Sequence, residues 1–300
     1  MAMRFALLGT GHWAAQTHAV AIADHPDTEL IAVWGRDLAK ARTVAAPYGA
    51  VAYDDLDSAL SDVDAVAIAL PPDVQATLAV RAAAAGRHLL LDKPLALTVA
   101  AADEVVEAAA AGGVASVVFF TSRYEPVVEA FLPGAAAVGY DEARVVMLGS
   151  ILGADNPYRD SAWRYEYGGL WDLGPHALSL LLPVLGPVAE VTAAPGPHGI
   201  THVIAAHASG AVSTMALSVV SPRVQHEFVF AGRNDEVPAP VSPAQPVDPV
   251  RSLGVAIDQL LEQAATGRRD HPCDVRFARD VTAVLAAAER ARDTGVRTTV

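Results

Sequence analysis

The chain is short of positive charge. Lys and Arg supply 21 of its 300 residues against 34 Asp and Glu, which leaves a formal net charge of −13. Nucleic acids and anionic membrane surfaces are bound through clustered cations, so neither is expected as a partner. Lysine is scarcest, occurring only as Lys40 and Lys93. The single cysteine, Cys273, excludes an intrachain disulfide and is compatible with a reducing compartment. It sits in His271-Pro272-Cys273-Asp274, a loop before a helix, and reads as a half-buried thiol, not a nucleophile. No apolar run reaches the roughly 18 residues of a membrane span, and the first residues lack a charged segment leading into a signal-type apolar stretch. A cytoplasmic location is expected.

What is present is apolar and ordered. A hydrophobic content of 52% places the chain among folded globular proteins, and its length suggests about two domains. The informative stretch lies at the start. Residues Phe5-Ala6-Leu7-Leu8 read as a buried strand that ends in Gly9-Thr10-Gly11-His12-Trp13-Ala14, followed by a helical pattern. This is G-x-G-x-x-A between a strand and a helix. Gly9 allows a tight turn, Gly11 lets the backbone approach a pyrophosphate, and Ala14 permits close helix–strand packing. The helix start presents N–H groups to an anion. A second strand at 29–34 follows at the βαβ distance, which raises the motif above a chance Gly-rich turn.

That second strand ends in Trp34-Gly35-Arg36-Asp37. A carboxylate here bonds the adenosine ribose 2′-OH of NAD, whereas an arginine without one pairs with the 2′-phosphate of NADP. Gly35 occupies the place of the acid and Arg36 follows it, so the reading leans to NADP over NAD. Asp37 either caps the next helix, at 38–46, or turns inward and restores the carboxylate. Strands at 51–53, 65–70, 88–91 and 114–120 then alternate with helices at 72–85 and 99–111, the latter capped by Thr98. Such alternation predicts an α/β doubly wound parallel sheet over residues 1–120. Its ligand rim, beyond the strand carboxyl ends, carries Leu70-Pro71-Pro72, Asp92-Lys93-Pro94 and Thr121-Ser122-Arg123-Tyr124. Gly9, Thr10, Gly11, His12, Trp13, Arg36, Leu70, Pro71 and Lys93 form the candidate cofactor site. Lys93 is the first chemical candidate, a cationic donor one residue past a buried strand and beside Pro94, whose peptide bond is a candidate for cis.

From about residue 121 the pattern changes to a second domain, 121–300. A helix at 125–132 and a strand at 144–152 precede a polar, aromatic stretch at 155–167 that reads as a binding loop. Gly168-Gly169-Leu170-Trp171-Asp172-Leu173-Gly174-Pro175-His176 then opens an apolar helix, with Pro175 placed in its first turn. Asp172 and His176 share a helix face, with Cβ atoms about 5–6 Å apart. An aspartate beside a histidine can fix its tautomer for acid/base work, but spacing alone equally describes a cap and a core histidine. Strands at 188–191, 200–207, 211–220 and 224–230 are expected to form an antiparallel meander with a turn at Ser209-Gly210. In the third, Met215, Leu217 and Val219 face helices and the other face meets another subunit. His198, His202 and His207 share no face, so they read as surface histidines and no metal site is expected. The five prolines at 238–249 mark a loop, and helices at 252–265 and 275–292 precede a short terminal run.

Together G-x-G-x-x-A, Asp92-Lys93-Pro94, Trp163-Arg164, the 168–176 motif and the 267–274 ending resemble the Gfo/Idh/MocA family, the glucose-fructose oxidoreductase and inositol dehydrogenase group. The resemblance implies a Rossmann domain followed by an α/β domain with an open, mainly antiparallel sheet that mediates homodimers or homotetramers. It further implies hydride transfer between NAD(P) and a hydroxyl or carbonyl carbon of a sugar or polyol. Lys93 would contact that oxygen, Asp172 would orient substrate or histidine, and His176 would give or take the proton, a task some members assign to the lysine. Arg123, Tyr124, Tyr158, Arg164 and Tyr167 are the candidate substrate contacts. Three departures stand out. Asp92 replaces the usual Glu, Thr121 stands where many members have Asn, and Trp171 replaces a smaller aliphatic and is expected to narrow the pocket. Two other functions are compatible with the fold: a non-catalytic nucleotide-binding regulator, and a redox-neutral, glycosidase-like enzyme that uses NAD transiently.

Overall fold

The computed structural model describes residues 2–153, 155–233, 235–241 and 247–300. They form two compact units, one running to Thr121 and adding Asp248–Arg279, the other comprising Ser122–Val247 and Asp280–Val300. The sequence placed everything after 120 in one domain. In the structure Asp248–Arg279 belongs with the first unit, because its apolar face covers the parallel sheet there.

In the first unit, β1 (Met3–Leu8), β2 (Thr28–Trp34), β3 (Val51–Tyr53), β4 (Ala65–Ile68), β5 (His88–Asp92) and β6 (Ser116–Phe119) make one parallel sheet in the order β3-β2-β1-β4-β5-β6. The crossovers are α1 (Ala19–Asp24), α2 (Leu38–Ala45), α3 (Leu56–Leu60), α4 (Pro72–Ala84) and α5 (Val99–Ala111). The central strands read as unbroken apolar runs because both faces are covered: Phe5 to Leu8, Ala65 to Ile68 and Leu89 to Leu91 are all 0% exposed. Strand order reverses between β1 and β4, and ligands of such sheets bind at that switch point. Helix α3 was not anticipated; Asp55 caps it by accepting from the Ser58 N–H at 2.8 Å. The helix after the glycines also differs from expectation. Its Ala14–His18 segment is a π-turn before α1, which adds a residue to the turn and buries His18 completely.

The second unit holds α6 (Pro126–Val138), β7 (Glu142–Ser150), α7 (Ala162–Leu185), β8 (Val188–Pro195), β9 (Thr201–His207), β10 (Val212–Ser218), β11 (Val220–Ala231) and β12 (Glu236–Pro238). Next, α8 (Pro249–Thr266) returns to the first unit, where it packs on β5 and β6, and α9 (Val275–Thr294) passes from one unit to the other before β13 (Thr298–Thr299). The second sheet has the order β12-β11-β7-β10-β9-β8-β13. It is mostly antiparallel but not a simple meander. Strand β7 lies between β10 and β11, parallel to the former and antiparallel to the latter. The long α7 between β7 and β8 supplies the crossover that a parallel pair requires. Ala211, Ser213, Met215 and Leu217 are buried as the alternation predicted, and β10 packs on α7. The proline-rich loop expected at 238–249 falls partly outside the described residues; its ends are β12 and the start of α8.

Candidate functional site

The glycine turn at the end of β1 is held from both sides. The Gly9 N–H donates to the Trp34 carbonyl at 3.0 Å, and the Ala69 N–H donates to the Leu8 carbonyl at 3.0 Å. Gly9 has φ +141°, and a Cβ there would lie 2.5 Å from the Ala69 carbonyl oxygen, so only glycine fits. Gly11 is different. A Cβ added to it would meet no atom of the described residues within 4 Å. No contact among the described residues demands that glycine, whereas close approach of a dinucleotide pyrophosphate would. His12 is exposed, Thr10 and Trp13 are half-buried, and helix begins at His12, which aims a helix N-terminus at the same opening. These residues fit a dinucleotide.

At the end of β2, Gly35 is buried and a Cβ on it would come within 2.6 Å of the Thr10 methyl. Arg36 is exposed. Asp37 takes the capping alternative, its Oδ1 accepting from the Ala39 and Lys40 N–H groups at 3.0 and 3.2 Å. Its carboxylate is thereby tied to the first turn of α2.

Leu70 and Pro71 follow β4, and Lys93 follows β5, on the same carboxyl-end rim of the sheet. Lys93 is half-buried and its bond to Pro94 is cis. Two side chains that the sequence reading missed flank this turn. Gln75 of α4 is fully buried and bonded to the main chain of Asp92, Pro94 and Leu95. His18, at the end of the π-turn, has Nε2 3.6 Å from the Asp92 carboxylate, longer than a hydrogen bond, and packs edge-on to Trp13 and Phe119. Burial pushes His18 down to about 4, so it is neutral near pH 7. A polar residue on the apolar stripe Gln75-Ala79-Ala82 was the signal available for Gln75; for His18, only the π-turn creates the burial.

In the second unit the stretch at 155–167 is not all loop, since helix α7 already starts at Ala162. The helix is broken at Gly168, whose φ of 61° and ψ of −156° are non-helical. The Gly-Gly pair therefore works as a joint and a contact. Gly168 takes the left-handed φ, and Gly169 lies so close to β10 that a Cβ would sit 2.6 Å from the Leu217 main chain. Pro175 lies seven residues past the break, within the helix and not in its first turn.

Asp172 is buried at 2% exposure and His176 half-buried one turn on. The Asp172 carboxylate accepts from Arg164 Nε at 3.2 Å. Arg164 in turn donates to Ser161 Oγ at 3.2 Å and has its guanidinium carbon 4.6 Å from the Tyr158 ring centre and 4.7 Å from that of Trp163. An arginine stacked on two rings and paired with a buried carboxylate is fixed in place before any ligand arrives. Thus the structure brings Arg164, Asp172 and Tyr158 together within one unit. Arg123 is half-buried, with its Nε buried and lacking a hydrogen-bond partner among the described residues.

Four expectations need correction. Tyr124, a candidate substrate contact, is 2% exposed, because the 3₁₀ turn at Thr121–Tyr124 directs it into the core. Trp171 does not narrow a pocket: it is fully buried, donates from Nε1 to Glu289 at 3.0 Å and meets Tyr167 edge-on. His207 is not a surface residue, since it is buried and bridges the Gly186 carbonyl and Ser213 Oγ at 2.7 and 2.9 Å. Cys273 is buried, not half-buried, and its carbonyl accepts from the Val118 N–H at 2.8 Å.

Comparison with known proteins bears on the first unit and on the fold. Residues 3–120 match the GFO_IDH_MocA model, described as an oxidoreductase family with an NAD-binding Rossmann fold. An uncharacterised oxidoreductase of Synechocystis is 33% identical over 198 residues, which cover 63% of this chain and 53% of that protein. The dTDP-3,4-didehydro-2,6-dideoxy-alpha-D-glucose 3-reductase of Streptomyces antibioticus is 30% identical over 193 residues, covering 62% of this chain and 57% of the reductase. The matched region thus spans little more than half the length of these relatives. Among solved structures, GenD2 from gentamicin A biosynthesis, in complex with NAD, superposes with a TM-score of 0.86 at 24% identity, covering 100% of this chain and 96% of that one. That likeness shows the fold.

Proposed function

We propose that the protein, whose residues 3–120 match the Gfo/Idh/MocA oxidoreductase model, is an NAD(P)-dependent dehydrogenase or reductase acting on a hydroxyl or carbonyl carbon of a sugar, polyol or related small molecule. The observation that carries this is Gly11, a glycine that no contact among the described residues requires, at the switch point of a parallel sheet. A bound nicotinamide supplies the hydride chemistry; the protein orients it and manages the proton.

The chain's own residues take the following roles. Gly9 to Trp13 hold the pyrophosphate through main-chain N–H groups, and Leu70 and Pro71 line the rim beside them. Lys93 donates a hydrogen bond to the reacting oxygen, and His176 gives or takes its proton. Arg164, locked to Asp172, orients the substrate hydroxyls, and Asp172 orients substrate or His176. Arg123 brings a buried N–H that needs an acceptor, and a substrate oxygen provides one. The names of the relatives support a sugar-like substrate, since one is a deoxysugar-nucleotide reductase.

For the cofactor, Gly35 without a carboxylate, an exposed Arg36 and an Asp37 committed to its cap favour NADP over NAD. The open sheet of the second unit, with Ile204 53% and Val212 40% exposed, is proposed to carry a homodimer or homotetramer contact. Titration with NADPH and with NADH, followed by quenching of the tryptophans, tests the reading. Tighter NADPH binding is expected. Tighter NADH binding would reverse the cofactor preference, and binding of neither would remove the enzyme reading altogether.

A further inference from the structure

We propose that Gln75 is a positioning residue for Lys93, an amide clamp that fixes the Asp92-Lys93-Pro94 turn to the first turn of α4. The Gln75 Oε1 accepts from the Asp92 N–H at 2.8 Å, while Nε2 donates to the carbonyls of Asp92 at 2.7 Å, Pro94 at 3.1 Å and Leu95 at 3.4 Å. These contacts fall on both sides of Lys93 and all go to main chain. They hold the path of the backbone, whatever side chains it carries. The side chain is 0% exposed, so water cannot replace it.

The clamp is needed because the sheet ends there. Strand β5 pairs with β4 as far as Leu91 and with β6 as far as Asp92, so the carbonyls of Pro94 and Leu95 lie beyond the last ladder pair. Buried main-chain groups without partners are costly, and a primary amide, with two N–H donors and an acceptor in one plane, can serve both directions at once. The same residue is anchored at its own main chain: the Gln75 N–H donates to the Pro71 carbonyl at 2.9 Å. Gln75 therefore ties the rim at Leu70-Pro71, proposed to meet the cofactor, to the lysine proposed to meet the substrate. From the far side, His18 faces the Asp92 carboxylate. The role of Lys93 rests on the proposed function, but its placement by Gln75 can be measured without any substrate.

The chain has only two lysines, and Lys40 is exposed on α2, which makes it an internal reference. The experiment is trace labelling of the full-length protein with acetic anhydride, read by mass spectrometry as the ratio of Lys93 to Lys40 modification. It is run on the wild type, Gln75→Met and Gln75→Glu from pH 5 to 9. In the wild type the two lysines should label at different rates. In Gln75→Met the ratio should change by about fivefold, the effect of losing a net hydrogen bond at the turn. In Gln75→Glu it should change at high pH, where a carboxylate faces three carbonyls, and return toward wild type at low pH, where the protonated acid donates again. A Gln75 that only fills the core would lower the melting temperature of both variants and leave the ratio unchanged, which would overturn the proposal. Equal labelling of both lysines in the wild type would overturn it without any variant. NADPH binding and turnover are separate readouts, so failure of the enzyme reading would leave this result standing.

Discussion

Single residues carry the chemistry, and two can be tested directly. His176→Ala is expected to lower turnover by about 10²–10⁴-fold, the loss of an acid/base group, while leaving NADPH binding intact. Steady-state rates beside tryptophan quenching check it, and unchanged turnover would take His176 out of the mechanism. His18 acts on stability. Its folded value of about 4 lies below the ordinary 6.5, so between these limits the unfolded chain binds a proton that the folded chain refuses. Stability from His18 is complete above pH 6.5 and is lost as the pH falls toward 4, to about 3 kcal/mol. Urea titrations across that window should show a flatter acid limb in His18→Gln. Burial also lowers His88, His207 and His226, so some acid slope should survive the substitution.

Elements explain where the site residues stand. The π-turn after the glycines puts His18 beside β5, and the break at Gly168 lets α7 begin again, with Asp172 and His176 on the renewed helix. Gly169 sets how closely that helix approaches β10. Gly169→Ala must move either the helix or the Leu217 main chain, at a cost of about 2 kcal/mol. A melting temperature lowered by several degrees, with turnover falling alongside, is the expected result in a thermal scan. A fully active, equally stable variant would show that the helix–strand distance is not critical.

Two units build the whole molecule, and each closes on its own core. The first cannot do so from residues up to Thr121 alone, because Leu253, Ala256, Ile257 and Leu260 of α8 are all 0% exposed within it. The second leaves apolar side chains on its open sheet, and the double substitution Ile204→Lys with Val212→Lys should dissociate the proposed oligomer. Analytical ultracentrifugation would show the smaller species with NADPH binding retained. An unchanged sedimentation coefficient would place the subunit contact elsewhere. No helix among the described residues is long and apolar enough to cross a membrane.

The sequence by itself determined the parallel sheet, its glycine turn and the place of Lys93 just past a strand end, because those rest on local patterns: apolar runs of strand length, G-x-G-x-x-A, and alternation with helices. The Asp172–His176 spacing was legible for the same reason, helical periodicity being local. Only the tertiary structure decided which groups those residues meet. Arg164 reaches Asp172 across eight positions, Gln75 reaches Asp92 across seventeen, and Asp248–Arg279 returns to the first unit across more than a hundred. β7 likewise enters between β10 and β11 although they are adjacent in the chain. Tyr124, read as a substrate contact, and His207, read as a surface histidine, proved buried for this reason too: a pattern shows which face a residue occupies, and burial depends on what distant segment covers that face.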